Sequence, residues 1–342
     1  MKPIRVAVCI DESKWYEKFL VSLQQYGNPL GIESEVFNIE CDDWIHKIAD
    51  FDAIIWKSHY MGPESSSYFK EKIFFIQHHL KKLTVPNFET IWHFDSKAAQ
   101  SYIFKNYEIP TPRTVATFDV DDALGLLQQF DMPIVFKKTY GASSSNVVLL
   151  KDQFKAAARI KDVFSRQISK KILSDNCSFW SKVSKYLWRY YVDMRLFCTN
   201  QRCAYWQEFI PGNKRDLRIT AIGDKYAVAF WRNNRPNDFR ASGSGNIDYK
   251  DSVPEDVVKY CLELNRRFSF DSMAYDIVFY DGSFKVIEMS YSYIDRAIYN
   301  ADGHFEYNND HLSFVKGNCW PQELWARWLV ERIKQRFIAK FQ

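Results

Sequence analysis

The sequence predicts an α/β protein: a small doubly wound domain over residues 1–94, then a mixed α+β body filling the rest of the 342 residues. Three observations predict it. Residues 4–10 (IRVAVCI) are an unbroken apolar run, the pattern of a parallel strand covered on both faces. Apolar runs then alternate with amphipathic stretches as far as residue 94. From Tyr205 onward, short apolar strands punctuated by turn residues dominate. A chain of this length exceeds one small core. The pattern changes place its domains at 1–94, 95–204 and 205–342.

Each element follows in order. After the first strand, Ser13 stands where a helix cap is expected. Further strands fit 33–39 and 52–57 (DAIIWK), and a helix fits 65–83, with Phe69, Ile73, Ile76 and Leu80 on one face. No GxGxxG follows the first strand, which argues against a dinucleotide site there. Residues 96–107 are helical and are stopped by Pro110 and Pro112. A helix at 120–130 and a strand at 133–138 precede the small-residue loop 141–146 (GASSSN) and a strand at 147–150. Residues 161–202 carry nine Lys or Arg against three Asp, interleaved with Phe179, Trp180, Tyr186, Trp188, Tyr190 and Tyr191. They read as an insertion with one or two basic amphipathic helices. Strands fit 205–210, 216–222 and 225–232, then a helix at 254–268, a hairpin at 274–289 and a basic amphipathic helix at 321–341.

Bulk properties exclude several classes. A net charge of +4, without a basic tail or an aromatic-basic RNA signature, argues against a nucleic-acid partner. Seven cysteines with no CxxC pair, and no His pair at metal spacing, indicate a reducing compartment and no zinc site. The opening apolar run is too short for a signal peptide, and no stretch approaches the ~20 apolar residues of a membrane span. A cytoplasmic location is expected. The basic stretches 161–202 and 321–342 suit either a solvated face packed on the body or contact with an anionic membrane.

Three sets of residues carry chemistry. In the late hairpin, Asp276 opens one apolar strand and Glu288 ends the next, with Asp281 and Gly282 between. A three-residue loop at 281–283 pairs Tyr280 with Phe284 and Asp276 with Glu288, so both carboxylates and Ser290 share a face. A two-residue loop pairs Asp276 with Ile287, and the acids diverge. Opposed carboxylates repel unless a cation lies between them. Mg²⁺ is the natural candidate, being hard and commonly held by one or two carboxylates plus phosphates. The alternative is a pair of solvated strand-end acids, but both strands are apolar on both faces, which implies burial. The second set is Lys97, Lys137 and the 141–146 loop with Ser143, Ser144 and Ser145; such loops can turn backbone N–H groups toward phosphate. Alone, that stretch is as consistent with a plain turn. The third set is Arg218, Arg232 and Arg240, suited to bidentate binding of carboxylate or phosphate, with surface ion pairs as the alternative.

In order and rough spacing these sets resemble the ATP-grasp superfamily, with glutathione synthetases and the ligases that add glutamate to ribosomal protein as the nearest comparison. The resemblance covers nearly the whole chain and implies an ATP-grasp fold preceded by its small doubly wound domain. Asp95-Ser96-Lys97, then 107–112 (YEIPTP), resembles the entry to the nucleotide fold, where the Lys reaches ATP phosphate. Residues 133–137 (PIVFK) with 141–147 look like the second phosphate Lys and its covering loop. Residues 205–211 (YWQEFIP), including Gln207, Glu208, Phe209 and Ile210, look like the hinge strand whose backbone meets adenine. Asp216 and Arg218 match a following D-x-R step, and Phe239-Arg240 resembles a loop near an acyl phosphate. Asp276, Glu288 and Ser290 match metal-binding Asp, Glu and Asn; Ser in place of Asn is one departure, and a Gly-poor phosphate loop is another.

The resemblance implies that ATP, held by Mg²⁺, phosphorylates a substrate carboxylate, and that an amine attacks the acyl phosphate steadied by Arg232 and Arg240. Metal bridging and positioning would supply most of the catalysis. Residues 271–276 (DSMAYD), 288–293 (EMSYSY) and the Tyr-, His-, Asn- and Trp-rich 300–320 resemble a branch found among bacterial surface-polysaccharide biosynthesis proteins. That implies a sugar acid or amino sugar as one partner and an amino compound as the other. A kinase acting on a hydroxyl, and a non-catalytic nucleotide- or glycan-binding protein, are the competing expectations.

Overall fold

Strand β1 (Ile4–Cys9) is the apolar run at the start of the chain, with residues 6–9 fully buried. The structure, a computed structural model, describes residues 2–58, 63–139, 147–164 and 203–338. After β1 come α1 (Trp15–Gly27), β2 (Ile32–Phe37), the short α2 (Trp44–Lys47), β3 (Ala53–Ile55), α3 (Pro63–Phe74), β4 (Leu83–Val85) and the short α4 (Phe88–Ile91). The four strands form a parallel sheet in the order β2-β1-β3-β4. Ser13 does not act as a conventional cap: its hydroxyl lies against the Asp11 carboxylate and accepts weakly from the Trp15 N–H at 3.4 Å. The helix expected at 65–83 is shorter. It passes into a π turn at Phe75–His79, Lys81 takes a left-handed φ of 56°, and Leu83–Val85 becomes the edge strand β4. Three apolar residues ending an amphipathic run continue its helical periodicity, so only pairing with β3 reveals them as a strand.

His93, just beyond α4, is buried with neither ring nitrogen hydrogen-bonded. Burial, assisted by nearby Lys70, lowers its pKa to about 3. The unfolded chain therefore takes up a proton as pH falls through ~6.5 while the folded chain does not, and stability falls toward acid by up to roughly 1.4 kcal/mol per pH unit. Asp271 opposes this, because burial raises its pKa to about 6 despite Arg332 beside it. His93→Phe is expected to remove the first effect only. Urea unfolding of both proteins between neutral pH and pH 5 should show the variant's advantage growing toward acid.

The second segment contains α5 (Lys97–Asn106), β5 (Thr114–Thr117), α6 (Val120–Leu127), β6 (Ile134–Lys137), β7 (Val147–Leu150), α7 (Gln153–Phe164) and β8 (Ala204–Glu208). Ser96 caps α5 by accepting from the Ala99 N–H. The strands pair antiparallel in the order β5-β8-β6-β7. Val115, Ile134, Phe136 and Trp206 form one face and pack with Ala123 and Leu127 of α6 and Ala156 and Ile160 of α7. Lys161, taken from the sequence as the start of an insertion, is in the last turn of α7. The rest of that insertion, and the loop with Ser143, Ser144 and Ser145, lie outside the described residues.

The last segment contains β9 (Arg215–Ile222), β10 (Tyr226–Asn233), β11 (Ile247–Asp248), α8 (Glu255–Phe268), β12 (Ser272–Tyr280), β13 (Ser283–Ser290), α9 (Asp295–Tyr299), β14 (Gly303–Asn308), β15 (His311–Lys316) and α10 (Pro321–Ile333). Its antiparallel sheet runs β13-β12-β9-β10-β14-β15, with β11 on β10. Leu217, Ile219, Ala221, Met273, Tyr275 and Ile277 alternate onto one face of the sheet. Helix α8 packs on β9, β10 and β12 and buries Val257, Val258, Cys261 and Leu262.

The amphipathic tail helix buries its apolar face against the body. Trp325 and Leu329 of α10 are fully buried, and α10 packs along α1 in one core with Trp15, Phe19 and Leu23. The chain accordingly divides into two compact units, Met1–Phe94 with Gly212–Gln342, and Asp95–Pro211. No helix among the described residues is long and apolar enough to cross a membrane.

Candidate active site

The hairpin settles its register in a way neither loop length alone supplies. The turn has two residues, Asp281 and Gly282, both with positive φ, and Tyr280 pairs with Ser283. By itself that turn sends Asp276 opposite Ile287. A bulge between Asp276 and Ile277 absorbs one residue of β13, so Ile277 pairs with Val286 and Asp276 with Glu288. The expected three-residue loop is therefore corrected, while the expected acid pair is present.

Across the sheet, Glu288, Asp276 and Arg218 stand in one row on β13, β12 and β9. One step along the same face, Asp216 of β9 pairs with Arg232 of β10. Arg218 grips Asp276 with both forks, Nε to Oδ1 at 2.5 Å and Nη2 to Oδ2 at 2.9 Å. Arg232 grips Asp216 at 2.7 and 2.6 Å and reaches Asp276 Oδ2 at 2.8 Å. The result is an alternating chain, Asp216–Arg232–Asp276–Arg218, of buried or nearly buried groups. Burial opposes the charge on Asp276, but the two guanidinium groups more than offset it and hold the carboxyl at about 2. Asp216, matched from the sequence to a D-x-R step, orients Arg232 here.

Ser290, two residues beyond Glu288, pairs with Ala274 on the same face, and its hydroxyl donates to the Ser292 carbonyl at 2.8 Å. Arg240 lies on the loop after β10 and is held by Asp238. In the second unit, Lys137 is buried at the end of β6 and donates to Gln207 Oε1 at 2.6 Å. Gln207 Nε2 donates in turn to Thr114 Oγ1 at 3.1 Å, and that hydroxyl donates to the Pro112 carbonyl. Lys97 is buried in the first turn of α5, with its N–H on the Thr139 carbonyl. Glu208 ends β8 with its N–H on the Arg113 carbonyl, and Phe209 and Ile210 follow. Thr114 escaped the sequence reading because one Thr on an edge strand carries no signal until Gln207 is set beside it.

Among the described residues, no group of three or more His, Cys, Asp or Glu is placed to hold a metal unaided. Two carboxylates on paired residues fit a different demand. Magnesium needs only one or two when nucleotide phosphates complete its shell.

No family model matches the chain. Among curated proteins it is similar to the α-aminoadipate–LysW ligase LysX of Saccharolobus solfataricus, 23% identical over 175 residues, which cover 51% of this chain and 53% of that protein. The chain thus spans about half the length of the curated relative it matches. Among solved structures it is similar to D-cycloserine synthetase DcsG, with a TM-score of 0.58, 15% identity, and 96% and 100% of the two chains covered. It is also similar to the ATP-grasp ligase PsnB complexed with precursor peptide PsnA2 and AMPPNP, with a TM-score of 0.56, 13% identity, and 96% and 98% covered. The chain has the mixed α/β fold of the ATP-grasp ligases.

Proposed function

We propose that the chain is an ATP-dependent ligase that activates a carboxylate as an acyl phosphate and couples it to an amine. One observation carries this reading: the Asp216–Arg232–Asp276–Arg218 chain stands beside Glu288 on one face of a sheet in an ATP-grasp fold. The relatives' names support it, since LysX is called a ligase and PsnB an ATP-grasp ligase bound to AMPPNP.

In this mechanism a carboxylate oxygen of the acid attacks the γ-phosphorus of ATP, and the bond to the ADP oxygen breaks. The amine, as free base, then attacks the acyl carbon. Phosphate leaves with the bonding pair, and the nitrogen gives its proton to solvent. Asp276 and Glu288, with Ser290, would hold magnesium, which neutralises phosphate charge when bound. Lys97 and Lys137 offset further phosphate charge, 143–145 cover it, and the backbone at 207–210 meets the adenine. Arg218 and Arg232 are set in position before reaction, so they stabilise developing charge with little reorganisation; Arg240 adds to them from its loop. As acid or amine partner we propose a sugar acid or amino sugar of a surface polysaccharide. Its support is the aromatic segment 300–320, whose Trp320 stacks on the preceding Tyr299 with centroids 4.2 Å apart.

The test is a screen of acids and amines for phosphate release with ATP and magnesium. ADP and phosphate should form only when acid and amine are both present. Glu288→Ala should abolish turnover while keeping the wild-type unfolding midpoint. AMP as product sinks the reading. So does a stable phosphorylated hydroxyl with no hydroxamate on adding hydroxylamine, or ATP binding without turnover on any pair.

A further inference from the structure

Within the unit formed by residues 95–211, a hydrogen-bonded relay has every proton position fixed by its two ends. Thr114 of β5 pairs with Gln207 of β8, and Gln207 pairs with Val135 of β6, two residues before Lys137. Side chains alternate along a strand, so Thr114, Gln207 and Lys137 share one face of the sheet. The other face carries Val115, Phe136 and Trp206, which pack on α6 and α7. Thr114, Gln207 and Lys137 are 9%, 2% and 6% exposed, so water competes little for their hydrogen bonds.

The Pro112 carbonyl can only accept, so the Thr114 hydroxyl hydrogen points at it, with the oxygens 2.6 Å apart. With its single hydrogen committed, Thr114 Oγ1 can only accept from the Gln207 amide, and Nε2 donates to it at 3.1 Å. That turns Oε1 the other way, where the Lys137 ammonium, which can only donate, reaches it at 2.6 Å. Flipping the amide sets Nε2 against the ammonium and Oε1 against the hydroxyl lone pairs. An acceptor at one end and an ammonium at the other therefore leave a single arrangement. The amide is neutral, so Lys137 keeps its full charge, which a carboxylate in that place would cancel.

We propose that Thr114 is a positioning residue: through Gln207 it fixes the Lys137 ammonium in the place where it meets nucleotide phosphate. This inference rests on the ligase reading, in which Lys137 offsets phosphate charge. A lysine is a point charge on a flexible four-carbon stem, and holding that charge in place beforehand removes an ordering cost from binding. Thr114 acts only through Gln207, one side chain removed from the charge it places.

Isothermal titration of the full chain with ATP–magnesium and with adenosine tests this. The readout is the ratio of the two affinities, which cancels any change at the base or ribose. The wild type is expected to favour ATP–magnesium, and Lys137→Met to lower the ratio by about tenfold or more, 1.4 kcal/mol. Thr114→Val, which keeps the side-chain shape and removes the hydroxyl, should lower it by roughly three- to tenfold. Thr114→Ser should restore the wild-type ratio, and Thr114→Ala replaces the Val variant if that one does not fold. Gln207→Met should lower the ratio at least as far as Thr114→Val, and the double variant no further than Gln207→Met, because both act along one path. A wild-type ratio in the variant without the hydroxyl overturns the proposal, and so does a Thr114→Ser ratio as low as that variant's. If Lys137→Met lowers the ratio while the Thr114 and Gln207 variants leave it unchanged, this inference alone fails; if the wild type binds ATP–magnesium no tighter than adenosine, the ligase reading fails.

Discussion

Asp276→Ala is expected to destabilise the chain by roughly 3–5 kcal/mol, the cost of leaving a buried charge unpaired. The variant removes one carboxylate from between two guanidinium groups. Arg218 then loses the carboxylate it grips on a poorly solvated face, while Arg232 keeps Asp216. The side chains are 9–17% exposed, so solvent screens little of the effect. Asp238→Ala is the control. It breaks the Arg240 pair on a loop, where side-chain exposures of 27% and 18% let water replace the lost partner, and about 1 kcal/mol or less is expected. The sign with pH follows from the depressed Asp276 pKa. Its contribution is complete above about pH 4 and is lost as pH falls toward 2. Urea midpoints of wild type and both variants at neutral pH check the ranking, and equal losses for the two pairs would refute it.

Gly223→Ala is expected to cost roughly 2–5 kcal/mol, from left-handed strain and overpacking together. Gly223 makes the β9–β10 turn with φ +55°, and a Cβ there would lie 2.0 Å from Trp328 Nε1. The backbone cannot easily give way. Its N–H donates to the Asp271 carbonyl at 2.8 Å, and its carbonyl accepts from Asn265 Nδ2 at 2.7 Å. Trp328 is nearly buried on α10. Gly282→Ala separates the two causes. Gly282 also has positive φ, +71°, but nothing lies within 4 Å of its added Cβ, so strain alone of about 1–2 kcal/mol is expected. Thermal midpoints of the two variants should differ clearly. If they coincide, Trp328 moves aside and the packing argument is wrong.

Local pattern made much of this fold legible. β1 reads from its own apolar run, and α8 from an apolar stripe that seats Val257, Val258, Cys261 and Leu262 on the sheet. β4 was hidden because three apolar residues fit the helix before them as well as a strand. The α10 tail reads as a basic amphipathic helix, but nothing local says that Trp325 and Leu329 are covered by α1, which lies about three hundred residues away in the chain. The candidate site was legible in part. Asp276, Glu288, Arg218 and Arg232 announce themselves as charged residues in apolar strands. Their connectivity did not, since Asp216 could be assigned to Arg232 only after β9 and β10 were set in register.

Periodicity and residue chemistry along the chain determined which segments become strands and helices, and which strands carry acids and arginines, because these depend on neighbours a few residues apart. Tertiary structure alone decided that Ile287 is absorbed by a bulge so that Asp276 meets Glu288, and that Lys57, Asp295 and Gln322 come together. Both outcomes depend on which buried faces must pack together across long stretches of chain, and no local spacing encodes that choice.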